Sequence, residues 1–331
     1  MIFAKSLRST CLSIGAATCM AAALSAFPTS ANAAFPDRPI HLIVPFSAGG
    51  PSDVLGRTLA QRLAVSIGEP VLVENKPGAG TNLAAEYVAR SKPDGYTLFL
   101  MMIGTQAINQ AMYPDLRYNT IKDFAPITLI AASSLILVAN PSFPARNLTE
   151  LITLAKAAPD KYNFASSGAG TPLHLAGVLL NHRAGIKLMH VPYKGAAPAL
   201  TAILGGQVEL AIVGTPSALP YIKTGKLTAI GVTSAQRTPL APDVPTIAET
   251  LPGYEVELVY AIVAPADTPQ SVVAQLNTDI TKAMQDPDVR EQLLGQGFEV
   301  RTSTPLQLGR YIRAEVDKWA PIVKQSGVKP E

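Results

Sequence analysis

The residues best suited to chemistry are few. The 331-residue chain has four histidines, His41, His174, His182 and His190. None stands in a His-Glu-x-x-His or similar metal-binding spacing. His174 and His182 can share one face of a helix, and they read as ordinary helix histidines. Ser166 lies in Phe164-Ala165-Ser166-Ser167-Gly168, so Phe164 occupies the place where a nucleophile elbow requires glycine. Lys194 follows Tyr193 and could carry a Schiff base in principle, but a structural or solvated lysine is the simpler reading. There is no Gly-x-x-x-x-Gly-Lys-Ser/Thr phosphate loop and no complete Gly-x-Gly-x-x-Gly. Both cysteines, Cys11 and Cys19, fall in the first 33 residues. A chain that loses this segment has no thiolate, disulfide or Cys-based metal site. The pattern implies no catalytic set, no metal and no cofactor.

What the chain does carry is chemistry for holding an anion. Leu42-Ile43-Val44-Pro45-Phe46-Ser47-Ala48-Gly49-Gly50-Pro51-Ser52-Asp53 reads as a buried strand, a turn of small residues and a helix start. Backbone N–H groups at a helix start have no partner inside the helix, and the helix dipole adds partial positive charge there. Glycine lets a ligand approach the backbone closely. A second small-residue turn, Ser166-Ser167-Gly168-Ala169-Gly170-Thr171, precedes Pro172 at another helix start. The two turns are expected to close on one carboxylate from opposite sides, with hydroxyls and main-chain amides solvating it directly or through water.

The elements that must position these turns follow from the alternation of apolar runs and turn signals. Strands are expected at 40–46, 71–75 and 97–103. Helices follow to about residue 66, capped by Ser52 or Asp53, and to about residue 90, opened by Thr81 or Asn82. Strand, turn and helix in series predict a parallel sheet with helices on its faces and ligand loops at one edge. The run 127–139 is too long for one simple strand and reads as a crossing into a second domain. There, helices at 149–157 (capped by Thr149), 172–182, 196–204 and 217–223 alternate with strands at 162–165, 187–191, 208–213 and 228–232. The run 254–264 reads as the return crossing. Helices opened by Thr268-Pro269, at 289–295 and from Thr304 onward complete the chain, the last with Leu308, Tyr311, Ile312, Val316 and Trp319 at helical spacing.

Lys5 and Arg8 precede a short apolar core and Ala31-Asn32-Ala33, a small-x-small site, so residues 1–33 are expected to be a cleaved export signal. Of 27 Lys+Arg and 24 Asp+Glu, only Lys5 and Arg8 fall in that segment, which leaves a net charge of +1. That balance gives no electrostatic footprint for nucleic acid. No later apolar run is long and clean enough to cross a bilayer.

Several longer motifs carry a resemblance. Pro45 to Asp53, Glu74-Asn75-Lys76-Pro77-Gly78-Ala79-Gly80, Pro93-Asp94-Gly95-Tyr96, Phe164 to Pro172, Val191-Pro192-Tyr193-Lys194-Gly195, Leu204-Gly205-Gly206-Gln207-Val208 and Asp243-Val244-Pro245-Thr246 occur in this order. They resemble the tripartite tricarboxylate transporter receptors, the Bug (TctC-type) solute-binding proteins, over essentially the whole chain after residue 33. The resemblance implies an α/β periplasmic binding protein of type II, a Venus flytrap with two lobes and a hinge. Lobe one would hold 34–132 plus 257–331, and lobe two 133–256. It implies a monomeric protein in the periplasm that hands a small organic carboxylate to membrane permease subunits. Carried over by motif, the ligand residues would be Phe46, Ala48, Gly50 and Asp53 on one side and Ser166, Ser167, Gly168 and Thr171 on the other. Thr105 and Gln106, at the end of the third strand, are expected to face the cleft. Asp53 reads equally as a helix cap, and Asn75 as a turn residue. Many members of that family carry Phe-Asp after the strand at 208–213. Within the di-, tri- and aromatic carboxylates that the resemblance implies, this chain's Val213-Gly214-Thr215 favours an amine-free mono- or dicarboxylate, aromatic ones included. The alternative reading is an exported hydrolase or isomerase using Ser166 or Lys194 in the cleft. A sensory subunit would use the same fold and pocket.

Overall fold

Residues 35–328 are described by the computed structural model, so the expected leader and its Ala33 cleavage point lie outside the described residues. From Arg38 onward the chain forms one compact unit. Its framework is β1 (Ile40–Val44), β2 (Val71–Asn75) and β3 (Thr97–Met102), with β2 and β3 parallel to β1 on either side. β1 and β3 are almost wholly buried, as strands with a helix layer on each face must be. α1 (Pro51–Ile67) starts with Pro51 in its first turn and ends at Gly68, which takes a left-handed conformation. A Cβ at Gly56 would lie 3.0 Å from Val44 and 3.3 Å from Leu100, so this glycine lets α1 settle onto the sheet. α2 (Asn82–Ala89) follows β2.

β4 (Phe124–Ala139) is the spine of the molecule. Its first part pairs antiparallel with β9 (Glu257–Pro265), which in turn pairs with β3. Its last five residues, Leu135 to Ala139, pair instead with β7 (Leu210–Gly214) and β8 (Thr228–Val232). The strand therefore leaves one sheet and enters another at Ser134–Leu135. β7 continues in parallel to β5 (Asn163–Ser166) and β5 to β6 (Met189–Pro192). The two-residue β10 (Glu299–Val300) returns to β4 in the first sheet. The sheet is thus parallel where helices connect its strands and antiparallel along the two crossing strands, which alternation of turns and helices alone had not separated from the rest.

Thr233 ties the two crossings together. Its N–H donates to the Leu135 carbonyl, its O accepts the Val256 N–H, and its buried hydroxyl lies 2.6 Å from the Val256 carbonyl. Between the two crossings lie α4 (Leu148–Ala157), α5 (Pro172–Ala184), α6 (Ala196–Leu204) and α7 (Thr215–Lys223). After the second crossing come α8 (Gln270–Met284), α9 (Pro287–Gly295) and α10 (Pro305–Ser326), the last opened by a Thr304/Gln307 capping box.

Several expected boundaries move for identifiable reasons. Asn147, not Thr149, caps α4, because its side chain accepts the Glu150 N–H. Neither Ser52 nor Asp53 is the cap of α1: Gly50 holds that place without a side-chain bond, and both residues lie inside the first turn. Thr105 and Gln106 are not at a strand end, since α3 (Ile103–Met112) begins directly after β3. α7 likewise starts directly after β7, at Thr215 and not at residue 217.

Candidate functional site

Among the described residues six helices follow the carboxyl ends of parallel strands, α1 to α3 after β1 to β3 and α5 to α7 after β5 to β7; the four that matter here are α1, α3, α5 and α7. Their first-turn N–H groups lack helical partners, and their dipoles present positive ends. The two expected loops lie at two of these junctions, the first after β1 and the second after β5. In the first loop Ser47, Ala48 and Gly49 are exposed and Phe46 and Gly50 half-buried. Gly49 sits at φ +82, a conformation that favours glycine.

Asp53 organises this loop from within. Its carboxylate is buried and accepts from the Gly49 N–H at 2.9 Å, from Arg57 Nε at 2.9 Å and from Asn75 Nδ2 at 2.9 Å. Asn75 Nδ2 also donates to the Phe46 carbonyl at 2.9 Å, so Asn75 ties the end of β2 to the loop and is more than a turn residue. The Arg57 bond holds the Asp53 carboxyl down at about 2, helped by Gly49 and Asn75 and opposed by burial. Both oxygens of Asp53 are engaged inward, and Arg57 balances its charge. The loop can then accept a second anion on its outer amides without meeting a free carboxylate.

The second loop is shaped by hydroxyls. Thr171 caps α5, accepting the His174 N–H at 3.3 Å and donating to the Gly168 carbonyl at 2.8 Å, while Ser167 Oγ donates to Thr171 Oγ1 at 3.3 Å. Gly168 and Gly170 hold φ +136 and +73. Ser167, Gly168 and Thr171 are half-buried, but Ser166 is fully buried and points away from solvent. Its hydroxyl lies 2.7 Å from His190 Nε2 and 3.2 Å from the Gly168 N–H. His190 stacks on His174 with ring centroids 3.7 Å apart and an interplanar angle of 16°. His174 Nδ1 accepts the Gly170 N–H at 3.1 Å. Burial pushes the pKa of each ring down to about 4, and the neighbouring His190 adds to the effect on His174. His182, two turns further along α5, is exposed and shares none of this.

At the third junction, Thr105 is half-buried and its Oγ1 is a buried hydroxyl without a partner among the described residues. Gln106 turns the other way and donates to Thr81 Oγ1 at 2.8 Å. At the fourth, Thr215 is fully buried and its hydroxyl meets Ser134 Oγ at 2.9 Å, so it braces the crossing. Among the described residues no hydrogen bond joins the two loops, and no cluster of three or more His, Cys, Asp or Glu could hold a metal ion. A cavity of about 880 Å³ on lobe one, with Lys122, Phe124, Asp267 and Arg313 in its wall, includes none of the loop residues. Sequence reasoning placed the two loops and missed what holds them. The Asp53–Arg57–Asn75 clamp and the His174–His190 stack join residues far apart in the chain. The one local signal was the i,i+4 spacing of Asp53 and Arg57.

Two lobes on a split sheet, joined by paired crossings and edged with helix starts, define a type II periplasmic binding protein. Residues 55–328 match the family model described as tripartite tricarboxylate transporter family receptor, and the chain belongs to that family of solute-binding receptors, which are not enzymes. It is 36% identical over 306 residues to Protein BugT of Bordetella pertussis, covering 92% of this chain and 94% of that one. Among solved structures it resembles a Rhodopseudomonas palustris protein with adipate, at 33% identity and a TM-score of 0.75, over 90% of this chain and all of the other. It also resembles MatC of Rhodopseudomonas palustris with bound malate, at 34% identity and a TM-score of 0.72, over 87% of this chain and all of the other.

Proposed function

We propose that this receptor captures a small organic carboxylate between its two lobes and delivers it to membrane permease subunits of a tripartite transporter. The observation that carries the reading is the pair of small-residue loops, each running into a helix start at a strand's carboxyl end, one per lobe. Ala48, Gly50 and the first turn of α1 offer amides from one side; Ser167, Gly168 and Thr171 offer amides and hydroxyls from the other. Phe46 flanks the first loop, and the Thr105 hydroxyl, buried without a partner among the described residues, would supply a further donor. Asp53 and Ser166 act through the backbone they hold. Relatives bound to adipate and malate support a dicarboxylate ligand. The absence of an acidic residue at Val213-Gly214-Thr215 supports a ligand without an amine.

The lobes would divide as 34–132 plus 257–331 and 133–256, hinged where β4 changes sheets and where Val256 meets Thr233. The leader-like segment 1–33 supports delivery to the periplasm. Calorimetry with a dicarboxylate series that includes malate and adipate, beside mass spectrometry of ligand released from purified protein, tests the reading. A saturable one-to-one complex, and a melting temperature that rises with ligand concentration, is the expected result. Well-folded, ligand-stripped protein that binds no carboxylate would overturn it.

A further inference from the structure

The histidine stack lies directly under the second loop and touches it at two points. Phe164, Ser166 and His190 belong to adjacent parallel strands, with Phe164 in register with His190. Residues two apart on a strand share a face, so Phe164 and Ser166 point the same way, toward α5. α5 lies close here: a Cβ at Gly177 would fall 2.2 Å from the Phe164 ring. His174, in the first turn of α5, completes a stack in which Phe164 lies 5.0 Å from His190 and 6.4 Å from His174 between ring centroids.

The bonding fixes the state of the His174 ring. A main-chain N–H can only donate, so His174 Nδ1 must carry a lone pair, and its proton resides on Nε2. Protonation would place a hydrogen on Nδ1 facing the Gly170 N–H and replace a bond with a clash of donors. A cation in the first turn of α5 would also oppose the helix dipole. His190 is less constrained, because Ser166 Oγ can donate to Nε2 or accept from it. Its charge would nevertheless lie against the face of a second ring 3.7 Å away.

We propose that His174 and His190 are positioning residues for ligand binding: the neutral stack holds the 166–171 loop in its receptive shape, through Gly170 and Ser166, and releases it when the rings are charged. This rests on the reading of that loop as a carboxylate site. Charged groups on the surrounding elements do not substitute for the pair. Arg183 lies near the far end of α5, Glu209 just ahead of β7 accepts from Asn163, Lys194 follows β6, Lys324 lies in the last turn of α10, and α3 carries no charged residue. None of them bonds either ring among the described residues, and the charge that bears on His174 is that of His190.

Conservative substitutions separate this role from simple packing. Asparagine can place an acceptor where Nδ1 stands, and glutamine can reach where Nε2 stands. At pH 7, His174→Ala should weaken malate or adipate binding at least tenfold, and His174→Asn should recover most of that loss. His190→Ala and His190→Gln should show the same order. In ligand-free wild-type protein, the Gly168 and Gly170 amide NMR signals should shift together between about pH 5 and pH 3, with the His174 ring. Both rings ionise well below the ordinary histidine value, so the receptive shape is complete above about pH 6.5 and is lost as pH falls through about 4. In the His174→Asn/His190→Gln double variant that shift should be gone. Alanine variants that bind as tightly as wild type, or loop amides that do not follow the rings, would overturn the proposal. The amide titration needs no ligand. Failure of binding in every protein, with loop amides that do titrate, would count against the carboxylate reading alone.

Discussion

Gly297→Ala is the most demanding perturbation the structure offers. Gly297 follows α9 and leads into β10, which pairs with the first part of β4; it packs on Pro216, in the first turn of α7 beyond the change of sheet. A Cβ built at Gly297 would lie 1.9 Å from Pro216 Cγ, 2.9 Å from its Cβ and 3.2 Å from its Cδ. Ordinary contact begins at 3.4 Å, so the overlap with Cγ is 1.5 Å by difference. The proline ring cannot swing aside as a flexible side chain would. Gly297 also sits at φ +89, where an L side chain costs about 1–2 kcal/mol. Overpacking a close contact adds about 1–3 kcal/mol. Alanine should therefore destabilise the protein by about 2–5 kcal/mol, or move the lobes apart to escape the overlap. Where ligand closure requires this contact, the same energy opposes binding, and each 1.4 kcal/mol lowers affinity about tenfold. Urea unfolding and calorimetry on the same samples read both outcomes. Pro216→Gly in the Gly297→Ala background removes the overlapping atoms and should restore that part of the loss, leaving the cost of φ. A Gly297→Ala protein within about 0.5 kcal/mol of wild type in stability, with unchanged affinity, would show that the Gly297–Pro216 contact is not tight.

The same geometry predicts that Gly177→Ala, with its Cβ 2.2 Å from the Phe164 ring, destabilises lobe two by about 1–3 kcal/mol, and that Phe164→Leu in the same chain recovers part of the loss in urea midpoints. Asp53 has a folded pKa of about 2 against 3.8 for the free side chain. Its contribution is complete above the unfolded value and is lost as pH falls from about 4 through 2, so Asp53→Asn should flatten that section of a stability-against-pH curve. Arg301 holds the buried Glu257 carboxylate through two bonds of 2.7 and 2.9 Å. Arg301→Met leaves that carboxylate without its partner and should cost about 3–5 kcal/mol by chemical denaturation, whereas Arg301→Met with Glu257→Leu should recover much of it.

The sequence by itself determined the two α/β series, the crossings between them and the location of both loops. Those features depend on local patterns: apolar runs of strand length, small residues at strand ends, proline in a first turn. The 196–204 and 228–232 elements were legible to the residue for that reason. Local pattern failed where two elements abut with no loop between them. Gly104-Thr105 and Gly214-Thr215-Pro216 have turn-like composition, yet each continues a strand directly into a helix whose start is fixed by packing against the sheet. Only the tertiary structure decided what the polar residues do. Asp53 and Ser166 were read as ligand contacts, and both turn inward: Arg57 reaches Asp53 along the same helix, but Asn75 and His190 reach them from strands that the sequence cannot bring together. The His174–His190 stack exists because β6 lies beside β5 and α5 packs across both. Hydrogen-bond partners 22 and 24 residues apart, and stacked rings 16 apart, follow from strand order, and strand order is a property of the whole fold.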